Sequence, residues 1–534
     1  MFPRLLRIAL QGYLFRRLAM KTNGLITSSR RIVYNTVLNI TIHVVELGIN
    51  FLLISFFLGK LGEQRYGVWV LVASIFQYRM LLSMGLNSAI NRYIPVYLAR
   101  NDFRGVSQIT STAFFVLLLL GCALASLTIL IALNVGYWFA LPNGLLTTAR
   151  TLVLLVGFSF AISFPLQISS AILSGIQRYD VINLIELLAF VTRTLLLILL
   201  LRQGCGLLTM GLLFGCCEII IRIAQFRFSR KLLPQARIVW SGFNGKVLRE
   251  AVAYGTNSML YTMGTVILFK AGNIVIGIFM GASSISRFSI AGSAVMLLTS
   301  FTGMFSRAIK PAVSDLDARG DMARVREIAF LTQKYTLFLL IPACCFLVAM
   351  GREFLSVWVG AKILDASVLD IMASVMAILA VANTIRLAQH SNFIVMVGRG
   401  QHKIFGILAV MSAAVFLILS IFLLKFFNFG LIAVAWSTFI PVVLTSGLIL
   451  PLYFNRRMRI SLRENIKYVW MPALQGTLPA VLMITAWKFV APPQSWSQLI
   501  AVVLLAGIVT LFSSWHFSLT PVEQKRFGSM LYRK

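Results

Sequence analysis

From Ile32 almost to the C-terminus, apolar runs of 20 or more residues alternate with short polar connectors. Each run is long enough to cross a hydrocarbon layer about 30 Å thick. The runs lie near 32–58, 66–94, 109–136, 148–172, 181–202, 206–225, 251–280, 286–309, 328–350, 366–390, 404–424, 430–452, 469–490 and 498–517. Backbone polar groups inside lipid must be satisfied within the segment, which demands helices or a closed barrel. These runs are too long and too evenly apolar for barrel strands. The pattern predicts an all-α integral membrane protein of about 14 transmembrane helices, with no polar block large enough for a separate soluble domain.

The pattern also repeats. FLGKLGEQRY from Phe57 aligns with FMGASSISRF from Phe279 at an offset of 222, pairing Arg65 with Arg287. LARND (Leu98–Asp102) aligns with DARGD (Asp317–Asp321) at 219, and GLLTMG from Gly206 with GLIAVA from Gly430 at 224. Two homologous six-helix lobes are therefore expected, 32–225 and 251–452. They form a parallel repeat, because an even number of spans returns each lobe to the same orientation. A basic segment (1–31), a basic linker (226–250) and an appendage of two helices with a tail (453–534) complete the organisation. Pro165, Pro342 and Pro441 interrupt spans and are candidate kinks.

Composition agrees with a membrane protein: 59% of the residues are apolar and only 12% charged. The net charge of +32 would suit nucleic acid, but the basic residues sit in connectors and termini rather than on an aromatic-interleaved polar face. They fall on the N-terminal side of the membrane in a ratio of about four to one, which predicts both termini cytoplasmic. The connectors on the other side are short, leaving no external loop for the catalytic groups of a polymerase. Arginines interrupt the N-terminal apolar runs, so no cleavable signal peptide is expected, and the segment suits a surface helix or a solvated arm. The six cysteines form no CxxC pair and no cluster with the four histidines, so neither metal nor cofactor is expected. There is no phosphate-binding GxxxxGK[ST], no HExxH and no GxSxG. The acidic run DLDARGD (Asp315–Asp321) reads as a helix-capping turn.

Taken in order and spacing, several segments resemble the polysaccharide, or O-antigen, flippases of the MOP superfamily, which also holds the MATE exporters. They are LGEQRYGVWVLVASIFQYRMLLSMGLNSAINRYIPVYLARND (Leu61–Asp102), FKAGNIVIGIFMGASSISRFSIAGSAV (Phe269–Val295), KPAVSDLDARGD (Lys310–Asp321), GREFLSVWVG (Gly351–Gly360) and GRGQHK (Gly398–Lys403). The resemblance implies a MATE-like fold in a bacterial inner membrane. It also implies translocation of an undecaprenyl-diphosphate-linked oligosaccharide by alternating access through a cationic cavity, without ATP hydrolysis. Lipid-linked anionic oligosaccharide, membrane lipids and polysaccharide assembly proteins would be its partners, and nucleic acid would not. A drug or small-metabolite antiporter of the same superfamily and a membrane polymerase are the competing readings.

Charges at mid-bilayer depth cost about 2.5–3.5 kcal/mol each and normally face protein or water. Glu46, Arg79, Arg193, Glu218 and Lys270 sit deepest. Glu46 with Arg79 and Arg193 with Glu218 lie at matched depths and are candidate ion pairs, while the two glutamates are alternatively ion-coupling groups. Lys270 has no acidic residue at its depth on a neighbouring span. Lys270, Arg79 and Arg193 are accordingly the candidate substrate-binding residues, suited to phosphate oxygens. Arg386, Lys334 and Glu186 lie nearer the helix ends, where long basic side chains reach the headgroups. Trp69, Trp138, Trp240, Trp358, Trp470 and Trp496 are read as an interfacial belt.

Overall fold

A computed structural model describes residues 29–360, 365–427 and 429–525. The basic N-terminal segment expected over 1–31 lies outside these, save its last three residues. The chain divides into two units, Met1–Glu46 and Leu47–Lys534. The described part of the first is helical from Ser29. The second holds the remainder of the described chain.

Every described element is a helix or a turn. In chain order they are α1 (Ser29–Gln77), α2 (Arg79–Ala99), α3 (Phe103–Trp138), α4 (Asn143–Ser163), α5 (Ile168–Gly175), α6 (Tyr179–Arg202) and α7 (Leu207–Leu232). After the linker come α8 (Gly245–Lys270), α9 (Gly272–Phe279), α10 (Ala282–Ala318), α11 (Met322–Ala349), α12 (Gly351–Leu355), α13 (Ala366–Ala388), α14 (His390–Gly398), α15 (Lys403–Phe427), α16 (Gly430–Val442) and α17 (Leu450–Met458). The last are α18 (Leu462–Asn465), α19 (Met471–Val490) and α20 (Trp496–Phe517).

Among the described residues eleven helices are long and apolar enough to cross a membrane, or twelve if the bent pair α8–α9 counts as one span. The expected fourteen is not reached, for two reasons. The runs expected over 32–58 and 66–94 are joined, because α1 continues past a break at Gly62 and Val45–Ser83 counts once. The run expected over 286–309 lies in α10, where residues 301 and 303–308 are outside those described in full, and it is not counted. Within each span only 22–44% of the most apolar window is buried, and side chains such as Leu119, Leu133, Ile418 and Leu511 stand exposed. Apolar residues turned outward on this scale require lipid around them.

The repeat is visible in backbone geometry, with one change of register. Gly62 and Gly281 both break a helix at positive φ (76° and 92°), a conformation open to glycine. Asn101 and Gly320 also share positive φ (54° and 73°). In each case the next residue is an aspartate that caps the following helix. Asp102 accepts from the Gly105 amide at 2.8 Å, and Asp321 from the Arg324 amide at 3.1 Å. Both landmarks are 219 residues apart. The offset of 222 read for the first segment is therefore three residues too long, close to one helical turn, and Arg287 matches Val68 rather than Arg65. The slip arose because a one-turn shift preserves a helix's apolar face.

At the Gly62 end, segments far apart in sequence are bolted together. Arg287 on α10 donates to both carboxylate oxygens of Glu63, at 3.2 and 2.8 Å. The Ala140 amide donates to the Gly277 carbonyl at 2.9 Å. Trp358 stacks on Phe51 with ring centroids 4.0 Å apart and donates its indole N–H to the Phe51 carbonyl at 3.0 Å, while Ser55 donates to the Trp358 carbonyl. Trp358 is only 3% exposed, so it is a packing residue and not part of an interfacial belt. Of the candidate kinks, Pro165 opens a 3₁₀ turn between α4 and α5, and Pro441 lies just before the π-helical stretch Val443–Ile449. Pro342 sits inside α11, which continues through it.

Candidate functional site

Between α8 and α9 the chain bends by 40° at Ala271, and Lys270 is the last residue before the bend. A cation at a helix C-terminus faces the negative end of the helix dipole and the carbonyls the bend frees. Lys270 makes no hydrogen bond or ion pair with any described residue. It lines a cavity of about 50 Å³ together with Asn273, Phe288, Ser289, Ser293 and Thr438, a space large enough for water. Asn273 donates to Ser74 on α1 at 2.9 Å, and its side-chain oxygen is buried without a partner. The wall beside Lys270 is therefore polar and holds an unused acceptor.

A second cation stands behind the first. The Arg386 guanidinium on α13 lies 4.8 Å from the ring centroid of Phe269, the neighbour of Lys270. It donates to Asn383 at 2.8 Å and to Thr299 at 3.3 Å. Asn383 in turn donates to Thr299 at 3.1 Å and to the Val295 carbonyl at 3.2 Å. All its partners are neutral. Sequence reading placed Arg386 near a helix end with its charge reaching the headgroups. Instead it is held inside the bundle, and the signal for this was the Asn383 side chain one turn earlier, a polar anchor in an apolar run.

The other basic candidates are neutralised or stacked. Glu218 on α7 takes Arg222 at 3.0 Å and Arg79 at 3.9 Å. The Arg79 guanidinium also covers the Phe160 ring, 3.8 Å from its centroid. Arg222 donates to Gln225 at 2.9 Å, and Gln225 donates to Glu186 at 3.2 Å. These links form one network across α2, α6 and α7, with Glu186 a member of it and not a helix-end residue. Glu218 thus gives Arg79 a carboxylate partner that matched depth had not suggested. Arg193 lies over Phe214, 4.3 Å from the centroid, with Trp69 packed on the same ring. Glu46, in the first unit, lies on α1 and is half-buried.

Lys334 does not reach the headgroups. It is buried on α11 and donates to Glu523 at 2.5 Å, and the Tyr335 hydroxyl donates to the same oxygen at 2.9 Å. Glu523 also accepts from the amide and hydroxyl of Thr520. Burial pushes the Glu523 carboxyl up, but the bonds from Lys334 and Thr520 outweigh it and hold it below its ordinary value. No sequence signal linked Lys334 to a residue 189 positions away.

A large apolar groove of about 930 Å³ runs between α10, α11, α19 and α20, lined by Leu297, Phe338, Phe346, Val503, Leu511 and Trp515 among others. Among the described residues no group of three or more His, Cys, Asp or Glu side chains could hold a metal ion.

The described helices match known membrane transporter folds. The chain is similar to the lipid II flippase MurJ in an inward closed conformation, at 16% identity and a TM-score of 0.67 over 94% of this chain and 100% of that one. It is also similar to an inward-facing multidrug resistance MATE family transporter of the MOP superfamily, at 14% identity and a TM-score of 0.64 over 78% of this chain and 94% of that one. An outward-facing transporter of the same description gives 15% and 0.54 over 80% and 95%. Comparison with curated proteins gives no match. A family model described as "Polysaccharide biosynthesis protein" matches residues 61–368, which include Glu63, Arg79, Arg193, Glu218, Lys270 and Arg287. With more than half of its length matched by that model, the chain belongs to this family of polysaccharide biosynthesis proteins.

Proposed function

We propose that this protein moves a lipid-linked, diphosphate-bearing oligosaccharide across the bacterial inner membrane during cell-surface polysaccharide synthesis. The two six-span halves, 32–225 and 251–452, rock about a shared cavity, and both termini face the cytoplasm. The observation that carries this reading is the pair of cations in the second half. Lys270 has a free ammonium at a helix break, and Arg386 behind it meets only neutral partners. An uncompensated cation at that depth is stable only with water or an anion beside it, and a diphosphate supplies the anion. The apolar groove of about 930 Å³ beside α19 and α20 offers the complementary feature, an apolar surface suited to an isoprenoid chain. The family match supports the polysaccharide context, and the likeness to MurJ and the MATE transporters supports the rocking fold.

The paired state of Glu218 favours its reading as an ion-pair member over an ion-coupling group. Arg79 and Arg193 then shape the facing wall, and Lys270 is the contact of the diphosphate inside the bundle. Cations beside the cavity disfavour the cationic drugs that an antiporter would carry, and a polymerase would need acid pairs beside the cations.

The test is translocation in vesicles of purified protein with a fluorescent polyprenyl-diphosphate sugar. Lys270→Ala is expected to abolish movement while the protein inserts and folds at wild-type level. Wild-type rates from that variant would remove the assignment. Leu297→Trp with Val503→Trp, which fill the groove, are expected to slow the long-chain substrate and spare a short-chain analogue; equal slowing of both would count against the groove as a chain channel.

A further inference from the structure

At the end of the bundle that carries Asp102 and Asp321, three segments of the second half surround a groove of about 940 Å³. Five arginines line it: Arg326 from α11, Arg399 from the GRGQHK turn, and Arg456, Arg457 and Arg459 from the end of α17. Two are engaged within the fold. Arg399 donates to Asp317 at 2.8 Å and Arg457 to Gln401 at 3.2 Å. The other three make no hydrogen bond among the described residues, and Arg326 stands in the field of the Glu464 carboxylate.

Two further observations separate this groove from an ordinary solvated basic face. The Arg326 Nε is buried and has no hydrogen-bond partner, although a buried unsatisfied donor costs about 1–3 kcal/mol. Arg459 ends α17 in the left-handed conformation (φ 52°, ψ 46°), where a glycine or asparagine is the usual residue and any other side chain is strained. The turn that holds Arg459 is itself anchored, since the next residue, Ile460, donates its amide to the Asn455 carbonyl at 2.8 Å and is buried. An orphaned donor and a strained arginine converge on one cleft. Such costs persist where a ligand uses the groups.

We propose that this groove binds a diphosphate group. Each guanidinium presents a planar fork of N–H donors that matches two phosphoryl oxygens. Three unengaged forks facing one space suit a polyanion with several such pairs of oxygens better than a single phosphate. Carboxylate ligands fit less well, because they offer one pair. The proposed substrate carries this chemistry at the junction of lipid and sugar. On that reading, the groove is where the head of the carrier lipid is captured before it reaches Lys270. The chemistry of binding does not depend on the transport reading, whereas the identity of the ligand's source does.

The experiment measures binding of inorganic diphosphate to the purified full chain by calorimetry at low ionic strength, with orthophosphate and sulfate as comparisons. Diphosphate is expected to bind at least about tenfold more tightly than either, weakening with salt. Arg326→Gln combined with Arg456→Gln and Arg459→Gln should lower that affinity by about tenfold to a hundredfold, with an unchanged melting profile in the absence of ligand. Arg319→Gln, an exposed arginine outside the groove, should leave it unaltered. Equal affinity for all three anions, or undiminished diphosphate binding in the triple variant, would overturn the site. Competition supplies the second arm, with vesicles containing polyprenyl diphosphate, vesicles containing only an anionic phospholipid, and neutral vesicles. Displacement of diphosphate by the first alone supports capture of the carrier. Displacement by the phospholipid vesicles would assign the groove to bilayer headgroups and refute its role in capture, leaving the Lys270 assignment to stand or fall on the translocation assay.

Discussion

Lys270 and Arg386 lie on either side of Phe269, line separate cavities and carry their charge differently. The ammonium of Lys270 is unclaimed and borders a water-sized space, so it is available to an arriving anion. The guanidinium of Arg386 is held by Asn383 and Thr299 and lies over Phe269. In the proposed function its part is to act on the ligand through its field and through the position of Phe269. Substituting Arg386→Gln removes the charge and is expected to slow translocation about tenfold or more. Arg386→Lys keeps the charge without the fork and should retain an intermediate rate. Identical loss in both would mean that only the hydrogen-bonded geometry matters. The sequence was informative about Lys270, because an isolated lysine in an apolar run has few explanations. It was uninformative about the partner of Arg79, since matched depth on two helices says nothing about how they are rotated. Depth had matched Glu218 with Arg193, whereas its contacts to Arg222 and Arg79 came only from coordinates.

At the scale of elements, helix existence was legible and helix junctions less so. Apolar runs located the long described helices but not the short α12, α14 and α18, since length and hydropathy are local properties. Whether α1 stops or continues at Gly62 depends on one backbone angle and on what packs against it, and the string of letters does not encode the second. The C-terminal segment illustrates the same point. Its Glu523 is tied to Lys334 on α11 through a buried pair, and removal of either charge strands the other at a cost of about 3–5 kcal/mol. Because the folded carboxyl lies below its ordinary value of 4.5, the pair contributes fully above that value and is lost as pH falls through the folded one. Wild-type protein should therefore lose thermal stability on acidification below about pH 4.5, while Glu523→Gln starts lower and changes less over the same range. Parallel curves would show that the pair does not hold the segment.

For the molecule as a whole, transport requires that one end close while the other opens, and the Glu63–Arg287 clasp is placed to report which. A cysteine pair at these positions, oxidised in vesicles, is expected to stop translocation reversibly, with recovery on reduction. Continued translocation in the crosslinked protein would show that this end stays shut throughout the cycle. Beside the clasp, Gly67 rests directly against the backbone of Ala282, so close that a methyl group there would lie 1.8 Å from the Ala282 carbonyl oxygen. The neighbour is main chain and has no rotamer with which to yield. Bulk at this position would act as a doorstop: it would penalise only the shut form, so that a single added carbon biases the resting population of every copy toward the opposite exit without touching a charge, a ligand or a proline.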